Sequence, residues 1–337
     1  MRRATAVLVL AAAMLVIGGP GVGAASGRGV SGSFLKVRVP PGMAVYEWHN
    51  SGDLAPAEVD RRLRFLRANG FRTVYLETGR YLDAADAHQP LTAIRGQIRR
   101  FVAAATRRGI AVQALGGGDD WVGERRYLGQ LLVTIVGDYN ARVAANERLQ
   151  GVHLDLEPYA EPGWLNHPQE NFDEYLTTIA GIVDSYRSVL TRHHSRHLQL
   201  GFAVPFWFDA RGDAPGPVAF DGATKPAVHH LIDLVGDLPG AYLVVMAYRD
   251  FTGTSDGSIA HARDEFRYAA ATWARCGLVV GQQYGPAGPD EQHITFNGQP
   301  RSDFRRAAAA ITIAFRRYPQ FRGLSVDDLD AYLAAGP

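Results

Sequence analysis

Eight short apolar segments alternate with longer segments of helical spacing, and that alternation constrains this chain more than any other feature. The apolar segments are MAVYEW (43–48), RTVYLE (72–77), IAVQAL (110–115), GVHLDLE (151–157), LQLGFAV (198–204), AYLVVMAY (241–248), LVVGQQY (278–284) and GLSVDD (323–328). Helical spacing fills the intervals near 56–69, 91–108, 124–147, 171–194, 225–236, 259–275 and 302–317, with a short last helix at 328–334. It is visible in Leu63, Phe65 and Leu66, and again in Phe172, Tyr175, Leu176 and Ile179. Strands separated by helices return to their sheet by crossovers, so they pair in parallel. Several are apolar on both faces, as when helices cover a sheet. Gly70, Gly109, Gly240 and Gly277 stand just before strands, where a left-handed residue stops a helix. Residues 42–337 are therefore expected to form one domain, a (β/α)8 (TIM) barrel. An open doubly wound sheet would want a G-x-G-x-x-G turn, and GGGDD at 116–120 lacks that spacing.

Composition agrees with a packed core: 47% of the 337 residues are hydrophobic and 20% charged. The net charge is +1, with no strong run of one sign, so neither a nucleic-acid footprint nor a polybasic membrane patch is supported. Lysine occurs only at Lys36 and Lys225, against many arginines, alanines and glycines, a bias expected of a GC-rich bacterial source. The N-terminus, MRRATAVLVLAAAMLVIGGPGVGAAS, places two arginines before an apolar run and then small residues. That is the layout of a secretory signal peptide over residues 1–25, cut after Ala24 or Ala25. The run is short for a membrane span. A secreted protein with no membrane attachment after cleavage is expected, entered through a Gly-, Ser- and Pro-rich leader at 26–41. The single cysteine, Cys276, excludes an intramolecular disulfide and is expected to pack as a small hydrophobe.

In such a barrel the functional end is the one where strands finish. Polar residues gather there: Glu47 and His49, Glu77, Asp119 and Asp120, Asp155 and Glu157, Asp209, Asp250, Asp327 and Asp328. Asp119, Asp120, Asp209 and Asp328 suit helix caps. The fourth segment, GVHLDLE, is different, because its acids lie within the strand. Residues two apart in a strand share a face, so His153, Asp155 and Glu157 form one column, about 6.6 Å from one to the next. Two neighbouring carboxylates in a low-dielectric mouth resist ionising together, and the retained proton suits a general acid. A buried polar network that only fixes packing is the competing reading. A metal site of His153, Asp155 and His49 lacks zinc-like spacing, and no metal or cofactor is implied.

Trp48, Trp121, Trp164 and Trp207 follow the first, third, fourth and fifth strands. Their faces can stack on a sugar and their N–H groups can bond a hydroxyl, so a carbohydrate groove is expected. Arg249 after the sixth strand is expected to pair with Asp250. The stretch RHHSRH (192–197) falls at the opposite end of the barrel and is read as solvated.

At this point the sequence resembles the glycoside hydrolase family 18 superfamily, which contains chitinases and endo-N-acetylglucosaminidases. The family's fourth strand reads D-x-x-D-x-D-x-E. Setting its Glu on Glu157 puts its last Asp on Asp155, while His153 and Gln150 occupy the other two acidic positions. The family's sixth strand commonly shows M-x-Y-D. VMAYRD supplies Met246 and Tyr248, with Asp250 one residue late. Asp327 stands about where the family often carries a tryptophan beneath the sugar. The resemblance implies that Glu157 protonates the glycosidic oxygen, that Asp155 orients a 2-acetamido group of the substrate, and that Tyr248 bonds that group. His153, Trp48, Glu77, Trp121, Trp207, Met246, Asp250 and Asp327 would then contact substrate. The seventh strand ends in Gln282 and Gln283, without the nucleophilic Glu that commoner retaining barrels place there. Glu77, Asp250 or Asp327 could supply a second carboxylate instead. Two functions follow: a secreted glycosidase acting on a polysaccharide or glycan, including N-acetylhexosamine-containing ones, or a non-catalytic carbohydrate-binding barrel. The retained Glu157 favours the first, because binding alone needs no proton donor.

Overall fold

The computed structural model describes residues 42–193, 198–210, 215–238 and 240–337. The expected signal peptide and leader, and residues 194–197 of the histidine-rich stretch, lie outside the described residues. The chain runs β1 (Met43–Glu47), α1 (Pro56–Ala68), β2 (Phe71–Glu77), α2 (Gly79–Asp86), α3 (Thr92–Thr106), β3 (Ala111–Gly117), α4 (Tyr127–Asn140), β4 (Gly151–Asp155) and α5 (Pro168–His193). It continues with β5 (Gln199–Pro205), β6 (Val218–Phe220), β7 (Ala223–Lys225), α6 (Ala227–Val235), β8 (Ala241–Met246), α7 (Ser258–His261), α8 (Arg263–Ala271), β9 (Gly277–Gln283), α9 (Arg301–Phe315), β10 (Phe321–Asp327) and α10 (Leu329–Ala334).

Eight parallel strands close a barrel in the order β1-β10-β9-β8-β5-β4-β3-β2. This is the (β/α)8 barrel in a single domain. Each strand alternates its side chains between two environments, as the period of two requires. Val45, Leu76, Leu154, Phe202, Val245 and Val326 face outward into the main apolar cluster beneath the helices. The amphipathic helices cover them; Leu63 and Leu66 of α1 and Ile179 and Ile182 of α5 are fully buried there. Each such side chain contributes about 1.5–3 kcal/mol. Ala44, Tyr46, Tyr75, Leu115, Tyr242, Val244 and Val279 face inward and form a second, separate cluster.

The helix ends follow the glycine signal in part. Gly70 and Gly109 turn with positive φ between helix and strand. Gly277 instead opens β9, packed against Tyr242 and Arg322. Asp328 caps α10, its side chain accepting from the Ala331 amide at 2.7 Å. Cys276 is buried and unpaired. The β6–β7 hairpin and α2 interrupt the simple alternation. The hairpin turns at Asp221 and Gly222, both with positive φ, a two-residue turn whose Asp-Gly signature was present in the sequence. Among the described residues no helix is long and apolar enough to cross a membrane.

Candidate active site

The inward face of the barrel carries two stacked polar layers. The lower one centres on His153 of β4, which is fully buried. Its ring stacks on Tyr75, centroids 4.0 Å apart, and lies parallel to Tyr242 at 5.7 Å. Tyr46 Oη lies 2.8 Å from His153 Nε2, and Tyr242 Oη 3.1 Å from Nδ1. Tyr242 donates its own proton to Gln113 Oε1 at 2.8 Å, and Gln113 Nε2 donates to Gln199 Oε1 at 2.7 Å. Burial pushes the imidazole down to about 3, so it is neutral and holds one N–H. Because the Tyr242 proton is already committed, that N–H sits on Nδ1, and Tyr46 donates to Nε2. Gly201 on β5 makes the packing feasible: a Cβ there would lie 2.1 Å from the Tyr242 ring.

The upper layer lies one step higher on the same strands. Asp155 ends β4 and faces inward above His153. Gly117 of β3 is its register neighbour, and a Cβ at Gly117 would lie 1.9 Å from the Asp155 carbonyl oxygen. Only glycine lets β3 pass there. The strand stops at Asp155 rather than Glu157, because Glu157 leaves extended geometry (φ −119°, ψ 55°) and Pro158 begins a single tight turn. Glu157 still stands above Asp155, held by Tyr159, whose hydroxyl donates to Oε1 at 2.8 Å. Across the barrel, Asp327 ends β10, and the Trp48 Nε1–H donates to its Oδ1 at 2.7 Å. Met246 and Tyr248 on the β8 side, with Ala203 and Ile294, form an apolar wall.

The electrostatics of this layer are unusual. Asp155 is pushed well above the ordinary carboxylate range, first by burial and then by the charges of Glu157 and Asp327. Its Oδ1 is sealed from solvent without a hydrogen-bond partner. Burial also raises Glu157, against the Tyr159 hydrogen bond and with help from the charge of Asp119. Burial lifts Asp327 to about 7, against the Trp48 hydrogen bond and with Asp328 and Glu157 adding to it. Both Asp155 and Glu157 keep part of their surface open at the mouth. The arrangement can therefore hold a proton at neutral pH and present it to a ligand.

The remaining expected site residues divide. Trp48 is 43% exposed beside the acids, its ring stacked on Tyr46. Trp207 is half-buried and packs edge-on against Tyr159 and Phe208. Trp121 is no rim residue: it is buried in the outer core, its ring near Gly116 and Gly118. Trp164 packs against Tyr159 and Phe172. His153 offers a ligand no surface, and its ring nitrogens go to tyrosines, not to Asp155. Glu77 reaches the mouth from β2 but accepts from the Gly79 amide at 2.5 Å, and burial lifts it to about 7. Asp250 accepts from Gln299 at 2.6 Å, and Arg249 pairs with Asp256 at 2.8 Å instead. Glu47 faces the helices, where it meets Arg62 at 2.9 Å and His49 at 2.8 Å. Sequence reasoning missed Tyr46, Tyr159 and Gln283. Tyr46 was legible, since it alternates with Ala44 and Trp48 on the inward face of β1. Gln283 sits inward beside Asp327 with Oε1 buried and unpartnered.

No protein-family model matches this sequence, and no curated protein matches it. Solved structures do resemble it. A family 18 chitinase of Cycas revoluta, in complex with (GlcNAc)3, is 14% identical at a TM-score of 0.50, over 86% of this chain and 95% of that one. A family 5 glycoside hydrolase of Prevotella bryantii is 13% identical at a TM-score of 0.52, over 88% and 92%. An exo-β-1,4-mannosidase of an Opitutaceae bacterium is 15% identical at a TM-score of 0.50, over 86% of this chain and 51% of that one. At such identities the likeness is one of fold. What fold and site together define is a (β/α)8 barrel with an acid-lined mouth. In fold, the chain resembles these glycoside hydrolase structures.

Proposed function

We propose that this protein is a glycoside hydrolase acting on a polysaccharide or glycan, with Glu157 as the general acid. One observation carries the reading: Asp155 and Glu157 stack inward at the end of β4, part-open to the mouth, in surroundings that favour their protonated forms. A proton retained there at neutral pH can be given to a glycosidic oxygen as its bond to the anomeric carbon breaks. Asp155 keeps that proton in the pair and stabilises the charge developing on the sugar. Trp48 offers an open ring face for a sugar, and Tyr248 a hydroxyl on the facing wall. The family resemblance adds N-acetylhexosamine-containing glycans to the candidate substrates, with Asp155 and Tyr248 beside the acetamido group. The same reading takes the chain as exported after cleavage near Ala24 or Ala25, which N-terminal sequencing of the mature protein tests.

The test of function is a screen of the mature protein against chromogenic glycosides and insoluble polysaccharides, alongside Glu157→Gln. Cleavage by the parent and not by the variant is expected. A ligand bound but not cleaved, with binding unchanged in Glu157→Gln, would instead make this a carbohydrate-binding barrel.

A further inference from the structure

Three residues could place a second carboxylate opposite the acid, and the structure separates them. Glu77 is engaged by the Gly79 amide of its own chain turn, and Asp250 by Gln299. Those two belong to β2 and to the end of β8, each only two strands from β4, and Asp327 is different in position. In the closed order of strands, β10 lies four strands from β4 in either direction, so the two face each other across the barrel. Both Asp155 and Asp327 end their strands on the inward face. One oxygen of Asp327 takes the Trp48 N–H, and among the described residues no second hydrogen bond engages the other. The remaining oxygen can accept a proton.

The span can be worked out from barrel geometry. Strands about 4.8 Å apart, tilted by about 36°, close an eight-stranded barrel about 15 Å across between facing backbones. Each aspartate reaches about 3 Å inward from its Cα, leaving a gap on the order of 9 Å between the carboxyls of Asp155 and Asp327, with Glu157 on the Asp155 side of the mouth. Retaining glycosidases hold their carboxyls about 5–5.5 Å apart, and inverting ones about 6.5–9.5 Å, the extra room being for a water. A gap of that order across the mouth falls in the wider class. Asp327 also lies close enough for its charge to raise Asp155, and for Glu157 to raise it in turn.

We propose that Asp327 is the catalytic base facing Glu157, activating a water on the far side of the scissile sugar, so that hydrolysis inverts the anomeric centre and needs no 2-acetamido group. This rests on the reading of Glu157 as the acid and narrows it. In the step, Asp327 Oδ2 takes a proton from the water, whose oxygen bonds to the anomeric carbon. The bond from that carbon to the glycosidic oxygen breaks, its electron pair stays on the leaving oxygen, and Glu157 supplies the proton to that oxygen. The Trp48 N–H holds Asp327 with its free oxygen turned to the water. The substrate class is then a glycan of hexoses in which the 2-position carries no participating group.

The experiment uses the mature protein and a panel of 4-nitrophenyl and 2,4-dinitrophenyl glucosides, galactosides, mannosides and N-acetylglucosaminides, with matching oligosaccharides. Proton NMR in the first minutes of wild-type hydrolysis reads the first anomer formed. Inversion is expected, on at least one hexoside lacking the acetamido group. Asp327→Asn is expected to lose at least about a thousandfold on every substrate, dinitrophenyl ones included. Glu157→Gln should be spared on the dinitrophenyl substrates, whose leaving group needs no proton. Azide added to Asp327→Ala should restore turnover and give the inverted glycosyl azide. A retained first anomer, or Asp327→Asn within tenfold of wild type while Glu157→Gln is inactive on nitrophenyl substrates, overturns this inference and leaves the glycosidase reading standing. A wild type inert on the whole panel overturns both. Should Asp327→Asn fail to fold, the wild-type anomer decides alone.

Discussion

Two adjacent layers of one barrel interior, built by the same strands, treat their polar atoms in opposite ways. In the lower layer, Tyr46, His153, Tyr242, Gln113 and Gln199 form a continuous hydrogen-bonded chain between stacked rings. In the upper layer, Asp155 leaves an oxygen sealed and unpartnered, as does Gln283, and three carboxyls are pushed upward in pKa. Each buried acceptor left unpaired costs about 1–3 kcal/mol. A fold seeking stability alone would have paired these acceptors. The contrast shows where stability gives way to something else, and it does so at the mouth, where a ligand can supply the missing partners.

The contrast is broken most severely by Glu157→Gln. Glutamine still accepts from Tyr159, so the mouth keeps its shape while the donated proton is lost. Activity on nitrophenyl or natural glycosides should fall by about 10³-fold, measured as kcat/KM. The thermal midpoint should hold or rise, since the variant removes a buried carboxyl that raises Asp155. Equal activity with a lowered midpoint would make the upper layer structural like the one below it.

The lower layer answers to the reverse test. His153→Leu keeps much of the volume but strips Tyr46 of its acceptor and Tyr242 of its donor. The loss should be about 2–4 kcal/mol, seen as a lower urea midpoint with an unchanged slope. Activity per folded molecule should fall far less than in Glu157→Gln. A stability change under about 0.5 kcal/mol would mean that the stacked rings, not the hydrogen bonds, hold this layer.

The two layers were not equally legible in the sequence. Eight βα units announced the barrel, because each apolar run sat at strand length between helical spacings, and the observed strands fall within about two residues of the expected ones, β4 ending at Asp155 before Glu157 turns out of it. The inward placement of His153 and Asp155 followed from the period of two. What that period cannot supply is the partner across the barrel. His153 looked like a ligand contact because its tyrosine partners come from β1 and β8, 107 and 89 residues away. Trp121 was misplaced for a related reason. A position just after a strand does not fix whether the chain turns inward or, as after Gly117, back over the helical layer. Arg249 was assigned to its chain neighbour, while Asp250 was already taken by Gln299 from a distant loop.

Titration separates the layers with a smaller effect. Folded Asp327 holds its proton to about pH 7, whereas in the unfolded chain a carboxyl loses it near pH 4. Between those limits the folded state binds more protons, so stability is full below about pH 4 and falls as pH rises toward about 7. Asp155, Glu157 and Glu77 act in the same direction. His153, neutral in the folded state from about pH 3 upward, works the other way up to the ordinary imidazole range, since only the unfolded chain binds its proton there, and adds nothing above it. The four carboxyls outweigh the one imidazole, so urea midpoints between pH 4.5 and 7.5 should decline, most clearly above about pH 6.5, by at most about 1.4 kcal/mol per pH unit for each carboxyl. Asp327→Asn should flatten part of that decline, and a decline unchanged in the variant would show Asp327 to be ionised well below pH 7.

The finest test concerns the one hydrogen bond that the upper layer does make to Asp327. Trp48→Phe keeps an aromatic face for stacking and removes only the N–H that meets Oδ1. Because Trp48 is 43% exposed, global stability should shift by no more than about 0.5 kcal/mol. The donated hydrogen bond favours the ionised form of Asp327, so its loss should move the acidic limb of the pH–rate profile to higher pH. At pH 7 that leaves a smaller ionised fraction and a rate lower by about threefold to tenfold, recovered as the pH is raised. Trp48→Ala should show the same shift and, in addition, weaker sugar binding through the lost ring face. A Trp48→Phe profile superimposable on the parent's would place Asp327 outside the titrating machinery, and the upper layer would then work through Asp155 and Glu157 alone.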